Sequence, residues 1–447
     1  MNPNDKNDAS PVNPDSLLVR GLGVRQLTAT IFNHTVGSGI FVLPAFAVAQ
    51  LGGAAPLAYL ACALVMLLVV LVFAEAGSRV TATGGPYAYV EIGLGPFFGF
   101  ATGILLAASQ IAAAGAISML LGQSLARLAG LDGAVWPGAI VLVLVITLCA
   151  VNIRGLSWGA RVVEIFTVAK LVPLLFFVLA GVFFISPPNL HWETLPTAAR
   201  VATTAGTLIF AFSGIETALM PSGEVRDPTR TVPRAAMLAL GAATLLYLSV
   251  QAVALGILGP TLAADKVAPL ATAAGTFAGH AGSALLLAGA SVSMFGWLTG
   301  SILAGPRALF ALSRDGFLPH QLSAVHSVHH TPHLAIIAYG TLAIATSLTG
   351  TFEQLAVLSN LAALGVYFLG AISVWRLRRR NVRSEREPFL MPGGPTVPIL
   401  ACIVIAWIVT QTITMREIVA LGGVLGLSLV VYLLKRRDAR AGKRLNV

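Results

Sequence analysis

Apolar runs of about 20 residues, long enough to cross a ~30 Å hydrocarbon core as a helix, recur along nearly the whole chain. Short polar or Gly/Pro-rich stretches separate them. About twelve crossings are predicted, at 26–50, 54–75, 96–124, 135–153, 160–184, 201–222, 235–258, 283–311, 333–350, 354–376, 395–414 and 418–434. Small residues interrupt two of them near their middles: Gly37-Ser38-Gly39-Ile40-Phe41 in the first and Phe212-Ser213-Gly214-Ile215-Glu216 in the sixth. In hydrocarbon every backbone N–H and C=O must be bonded internally, so such breaks are tolerated only within protein or beside a water-lined cavity. Five crossings per unit put the two breaks at matching positions in units of opposite orientation, as an inverted repeat requires. The expected fold is an all-α polytopic membrane protein, a 5+5 inverted repeat with discontinuous helices 1 and 6 plus two accessory helices.

On this reading residues 1–20, rich in Asn, Asp and Pro, form a disordered cytoplasmic arm. Residues 21–434 form the membrane domain, with repeat one about 26–184, repeat two about 201–376 and accessory helices about 395–434. A basic cytoplasmic tail, 435–447, follows and is expected to face lipid headgroups. The segment 77–95 between the second and third crossings reads as a Gly/Pro-punctuated connection.

Composition agrees with a membrane class: 56% of residues are hydrophobic, 10% are charged, and the mean hydropathy is +0.84. A net charge of +10 invites a nucleic-acid reading, but the placement of charge excludes it. Of the 28 Lys/Arg, 23 fall on one predicted side, four (Arg127, Arg200, Lys266, Arg416) on the other, and Lys170 within a crossing. By the positive-inside rule both termini are cytoplasmic. The expected location is a plasma (inner) membrane. Cys62, Cys149 and Cys402 lie in separate apolar runs without metal-ligand spacing and read as small hydrophobes.

A break leaves N–H groups unpaired at the start of the following half-helix and C=O groups unpaired at the end of the preceding one. The first kind of end suits a carboxylate, the second an ammonium or a cation. Two antiparallel broken helices side by side therefore match a zwitterion, and an α-amino acid has that charge pattern. Packing glycines are the competing explanation for Gly37, Gly39 and Gly214. Ser38, Ser213 and Glu216 beside them, in two matched places, favour a site.

The segment Asn33-His34-Thr35-Val36-Gly37-Ser38-Gly39-Ile40-Phe41-Val42-Leu43-Pro44 resembles the first helix of the amino acid/polyamine/organocation (APC) permease superfamily. Glu75-Ala76-Gly77-Ser78 with Gly84-Gly85-Pro86-Tyr87-Ala88-Tyr89, Phe212 to Glu216 with Glu224, Pro228 and Pro233-Arg234, and Arg307 to Pro319 extend the resemblance over about residues 20 to 435. It implies the LeuT-like fold reached above by counting. It also implies that the substrate carboxylate meets the N–H groups of Ser38 and Gly39 with the Ser38 hydroxyl, and that the amine meets carbonyls of Thr35, Phe210 and Ser213. Phe210 stands where relatives often carry an aromatic gate, and relatives with an acid at Glu216 use it in the transport cycle.

Lys170 lies about 15 Å into its crossing at ~1.5 Å per residue, where an uncompensated lysine costs at least ~2.5 to 3.5 kcal/mol. Burial makes it a candidate proton carrier. The resemblance implies that Lys170 takes the place where sodium-coupled carriers of this fold hold an ion against the first helix. His34, Gln110 and Trp297 are secondary candidates, and Ile40, Phe210 and Ile215 are expected as apolar pocket walls.

No phosphate-binding Gly-x-x-x-x-Gly-Lys-Ser/Thr loop is present, which argues against primary active transport. Scattered single residues, without a nucleophile–base pair or metal cluster, argue against an enzyme and imply no cofactor. The expected activity is sodium-independent secondary amino acid transport, proton-coupled (symporter) or exchange-type (antiporter), with neutral amino acids favoured. Cationic amino acids or polyamines form the alternative, and a nutrient sensor or channel the alternative from another class. The partners implied are the small-molecule substrate, protons and membrane lipids.

Overall fold

The computed structural model describes residues 23–80, 85–155, 160–192, 194–218, 225–314, 316–383 and 387–444, and among these the regular structure is helical with no strand. The expected N-terminal arm, Glu224 and Asp315 lie outside the described residues. The helices are α1 (Val24–Thr35), α2 (Gly39–Leu51), α3 (Ala55–Arg79), α4 (Pro86–Leu94), α5 (Pro96–Leu128), α6 (Val135–Ile153), α7 (Ala160–Gly181) and α8 (Ala198–Phe212). There follow α9 (Ile215–Ala218), α10 (Pro228–Leu258), α11 (Pro269–Arg314), α12 (His333–Thr349), α13 (Phe352–Arg379), α14 (Thr396–Thr412) and α15 (Met415–Arg444).

Six helical stretches are long and apolar enough to cross a bilayer unaided: Gly39–Arg79 (which bends at Gly52–Ala54), Pro96–Leu128, Val135–Ile153, Pro228–Ala264, Pro269–Arg314 and Phe352–Arg379. The chain is an integral, multi-pass type of molecule. The remaining expected crossings correspond to shorter apolar helices, among them Ala198–Phe212, His333–Thr349 and Thr396–Thr412. At ~1.5 Å per residue these span roughly 22 to 26 Å, less than the ~30 Å core. Chain breaks shorten the first and sixth.

Three expectations of extent are corrected. Part of the 77–95 connection is the helix α4, whose Pro86 sits in the first turn, where its missing N–H costs nothing. The eighth crossing starts at Pro269 and not near 283, with a kink at Gly279 (φ 58°) separating an outer piece from the main helix. The last helix continues through Arg444, so the basic tail is helical to that point.

Helix α10 packs against α1 and α3, α2 against α8, and α5 against α11, α12 and α13. This brings the two interrupted runs into the middle of the bundle. At the Arg-rich end, Glu75 is fully buried and accepts from Arg79 Nε at 2.9 Å, Arg378 Nε at 2.6 Å and the Met391 N–H at 3.1 Å. Arg79 also donates to the Val382 carbonyl, and the Phe389 N–H donates to Ser78 Oγ. One carboxylate thus ties α3, α13 and the segment after α13 together.

At the opposite end Asp265 organises the entry to α11. Burial alone would raise its carboxyl. Donors from the Thr272 hydroxyl, the Ala268 and Val267 N–H groups and Arg127 outweigh that and hold it at about 2. The next residue, Lys266, pairs with Glu353 at 3.3 Å across to α13.

Candidate binding site

Helix α1 ends at Thr35 because Val36 leaves helical geometry (ψ 80°) and the Gly37 N–H turns back to the Thr35 carbonyl at 2.9 Å. Helix α2 restarts at Gly39. In the other run α8 ends at Phe212, Ser213 is extended (ψ 157°), and Gly214 takes φ 118°, which only glycine adopts without strain. Both predicted interruptions are present.

They also lie against each other. A Cβ on Gly39 would stand 2.8 Å from the Ala211 backbone, and one on Gly214 would stand 2.9 Å from the His34 carbonyl oxygen. The Tyr247 hydroxyl, from α10, lies 2.6 Å from the Ala211 carbonyl and 2.9 Å from that of Thr35. One hydroxyl has a single hydrogen to donate, so it is shared between the two break carbonyls and pins the two runs together.

Lys170 supplies the charge at this point. It is 2% exposed, and its Nζ donates to the carbonyls of Asn33 and Val36, both at 2.8 Å. Those are free C=O groups at the end of α1, so the ammonium occupies the negative end of that half-helix. Ser293 Oγ donates to the Gly37 carbonyl at 3.2 Å. Side chains thus occupy the Asn33, Val36 and Gly37 carbonyls of the first break.

The N–H side differs. The first turn of α2, starting at Gly39, has amide hydrogens without intrahelical acceptors. Ser38 Oγ, 1% exposed, is buried with no hydrogen-bond partner. A buried hydroxyl without a partner at a helix N-terminus is a costly arrangement that an anionic ligand group resolves.

A cavity of about 50 Å³ opens beside the breaks, lined by His34, Ser213, Gly214 and Glu216 together with residues of α5, α11 and α13, among them Gln110 and Trp297. Trp297 lies over Gly37, its Cδ1 3.6 Å from where a Cβ would stand. Glu216 is 4% exposed. Its carboxylate accepts from the Gly214 N–H (3.0 and 3.1 Å) and from the Tyr367 hydroxyl at 2.8 Å. A second cavity of about 330 Å³ lies toward the other end, lined by α2, by Lys266 and Val267, and by Thr351, Phe352 and Glu353.

Not every sequence candidate joins the cavity. Phe210 packs its ring edge-on against Phe352, centroids 5.5 Å apart, and so borders the larger cavity through its partner. Ile40 and Ile215, each 1% exposed, pack in the core and do not line the cavity, and neither do Thr35, Gly37, Ser38 and Gly39, which lie buried beside it. Two of the three expected amine acceptors are already engaged: the Thr35 carbonyl by Gly37 and Tyr247, and the Phe210 carbonyl by the Ser213 hydroxyl at 2.9 Å. Tyr247, Tyr367 and Ser293 escaped sequence reasoning. A tyrosine in an apolar run reads as core until its hydroxyl finds a partner.

Comparison with known proteins places this geometry. A family model described as amino acid permease matches residues 22–430. The serine/threonine exchanger SteT of Bacillus subtilis is 29% identical over 402 residues, covering 87% of this chain and 90% of the relative. The branched-chain amino acid permease BcaP of the same organism is 26% identical over 407 residues, 86% of each chain. The methylthioribose transporter of Bacillus subtilis is 28% identical over 444 residues, covering 93% and 91%. With the family match spanning nearly the whole length, the chain belongs to the amino acid permeases of the APC superfamily and is a transporter, not an enzyme.

Proposed function

We propose that this permease is a secondary carrier that moves neutral amino acids by alternating access, on a twelve-crossing inverted repeat with both termini cytoplasmic in the plasma membrane. The observation that carries the reading is the asymmetry of the first break. Its carbonyl end is filled by Lys170, whereas its N–H end holds a buried, unpartnered Ser38 hydroxyl. A carboxylate fits the second end, and at the first Lys170 already stands where a cation would meet the Asn33 and Val36 carbonyls. Sodium independence follows, with Lys170 serving as the fixed or proton-exchanging cation.

In this reading the substrate carboxylate sits on the Ser38 and Gly39 N–H groups. Its ammonium displaces a weaker donor at the Thr35, Phe210 or Ser213 carbonyls, beside Gly37 and Gly214. Trp297 covers the seat on the side of the small cavity, Phe210 with Phe352 closes the other side, and Glu216 holds the second break through the Gly214 N–H. Neutral substrates are supported by two relatives, named as a serine/threonine exchanger and a branched-chain permease, and the first of these supports exchange.

Purified protein in liposomes loaded with a mixture of neutral amino acids is expected to take up a labelled one equally well in sodium and in choline buffer. Uptake strictly dependent on sodium would overturn the assignment of Lys170. No saturable uptake or exchange of any amino acid would point instead to a channel or sensor.

A further inference from the structure

The arginines that end α13 point to two different places. At ~100° per residue Trp375, Arg376, Arg379 and Arg380 share one arc of about 140°, and Leu377 and Arg378 fall outside it. Arg378 turns inward to Glu75. Arg376, Arg379 and Arg380 are exposed, and among the described residues none of them pairs with a carboxylate. Arg380 donates to the Ile92 carbonyl of α4 at 3.0 Å, and the Arg379 guanidinium lies over the Trp375 ring, 4.2 Å from its centroid.

Depth and surroundings decide what meets this face. Counted from Phe352 at the start of α13, Trp375 lies ~35 Å along the helix at ~1.5 Å per residue, just past a ~30 Å core. A tryptophan 41% exposed with a cation stacked on its face suits the headgroup layer, where aromatic and basic side chains anchor helices. Helix α14 packs against α13 and begins at Thr396, just beyond Met391 and its bond to Glu75. Its first turns expose Ile399, Leu400 and Ile403. The same end therefore offers an apolar wall for acyl chains and a row of free guanidinium groups.

We infer that Trp375, Arg376, Arg379 and Arg380 form a docking surface for anionic phospholipid, with the guanidinium groups holding the headgroup phosphate. A guanidinium fork matches phosphate oxygens in pairs, and the three positive charges favour a lipid with net negative charge over a zwitterionic one. The bound lipid fixes the end of α13 that presents Arg378 to Glu75, and so supports the buried lock from outside.

Thermal unfolding of the full chain in neutral detergent, titrated with phosphatidylglycerol or with phosphatidylcholine, tests this without any transported solute and so stands apart from the carrier reading. Phosphatidylglycerol is expected to raise the midpoint, and phosphatidylcholine to leave it nearly unchanged. Arg379→Gln should raise the phosphatidylglycerol needed for half the shift about fivefold, and Gln at positions 376, 379 and 380 together at least about tenfold. Lys at the same three positions should keep most of the response. Gln at Lys435, Arg436 and Arg437, which removes as many charges from the tail, should weaken it far less. Each shift is read against the same variant's midpoint without lipid, so a less stable variant still reports. A triple Gln variant at 376, 379 and 380 that responds like wild type, an equal loss in the tail variant, or a shift reproduced by inorganic phosphate would overturn the assignment.

Discussion

Replacing Lys170 with alanine is expected to reduce exchange by at least about a hundredfold, equivalent to roughly 2.7 kcal/mol of barrier, and to flatten the pH dependence of whatever rate remains. The ammonium bonds two carbonyls at the end of α1, and its removal leaves the buried Val36 carbonyl and the part-buried Asn33 carbonyl without that donor. Each unsatisfied buried acceptor costs about 1–3 kcal/mol, enough to change the path of the chain from Asn33 to Ser38. The seat proposed for the carboxylate begins at Ser38, so its geometry is lost with the same change. Lys170→Arg should not restore activity, because a planar five-donor fork cannot replace a compact ammonium between two carbonyls. Initial rates from pH 5 to 9 in proteoliposomes decide the point. A mutant with the wild-type pH response would remove Lys170 from coupling.

The second large effect lies at the Arg-rich end, far from the seat. Glu75→Ala is expected to lower stability by about 3–5 kcal/mol, because it strands two arginines where one carboxylate served both. Arg79 is 6% exposed and cannot recover hydration without opening the helix end. Arg378→Ala should cost less, since Arg79 and the Met391 N–H still satisfy Glu75. The double change should be clearly less damaging than the sum of the singles, as expected for groups in direct contact. Thermal unfolding in detergent followed by size-exclusion monitors all three. Additive losses would show that Glu75 and Arg378 act independently.

What the sequence disclosed follows from how local each signal is. The Gly-Ser-Gly and Ser-Gly breaks were legible because flexible small residues inside long apolar runs have few explanations in a membrane. Lys170 was legible because a charge at that depth is costly and must be compensated; its place against the first helix was implied by the family resemblance. Its actual acceptors, Asn33 and Val36, were not, since backbone carbonyls leave no mark in a sequence. The Glu75–Arg378 pair joins residues 303 apart, and Glu75 four residues before Arg79 reads as an ordinary helix pair. Helix α4 was missed because its 9 residues fall below the window that reveals a crossing, with glycines on both sides. The cavity walls were misjudged for a different reason. Ile40 and Ile215 adjoin the breaks in sequence, but a helix turns each successive side chain by ~100°, so adjacency in the chain does not place them on the same face.

The account rests on a carboxylate seated at the N-terminus of α2, and a structure with the transported amino acid bound tests that most directly. The predicted result is density with both carboxylate oxygens within about 3.2 Å of the Ser38 and Gly39 N–H groups and Ser38 Oγ. An amino acid whose carboxylate is held elsewhere, on Lys170 or beside Lys266 in the larger cavity, with Ser38 still unpartnered, would contradict it.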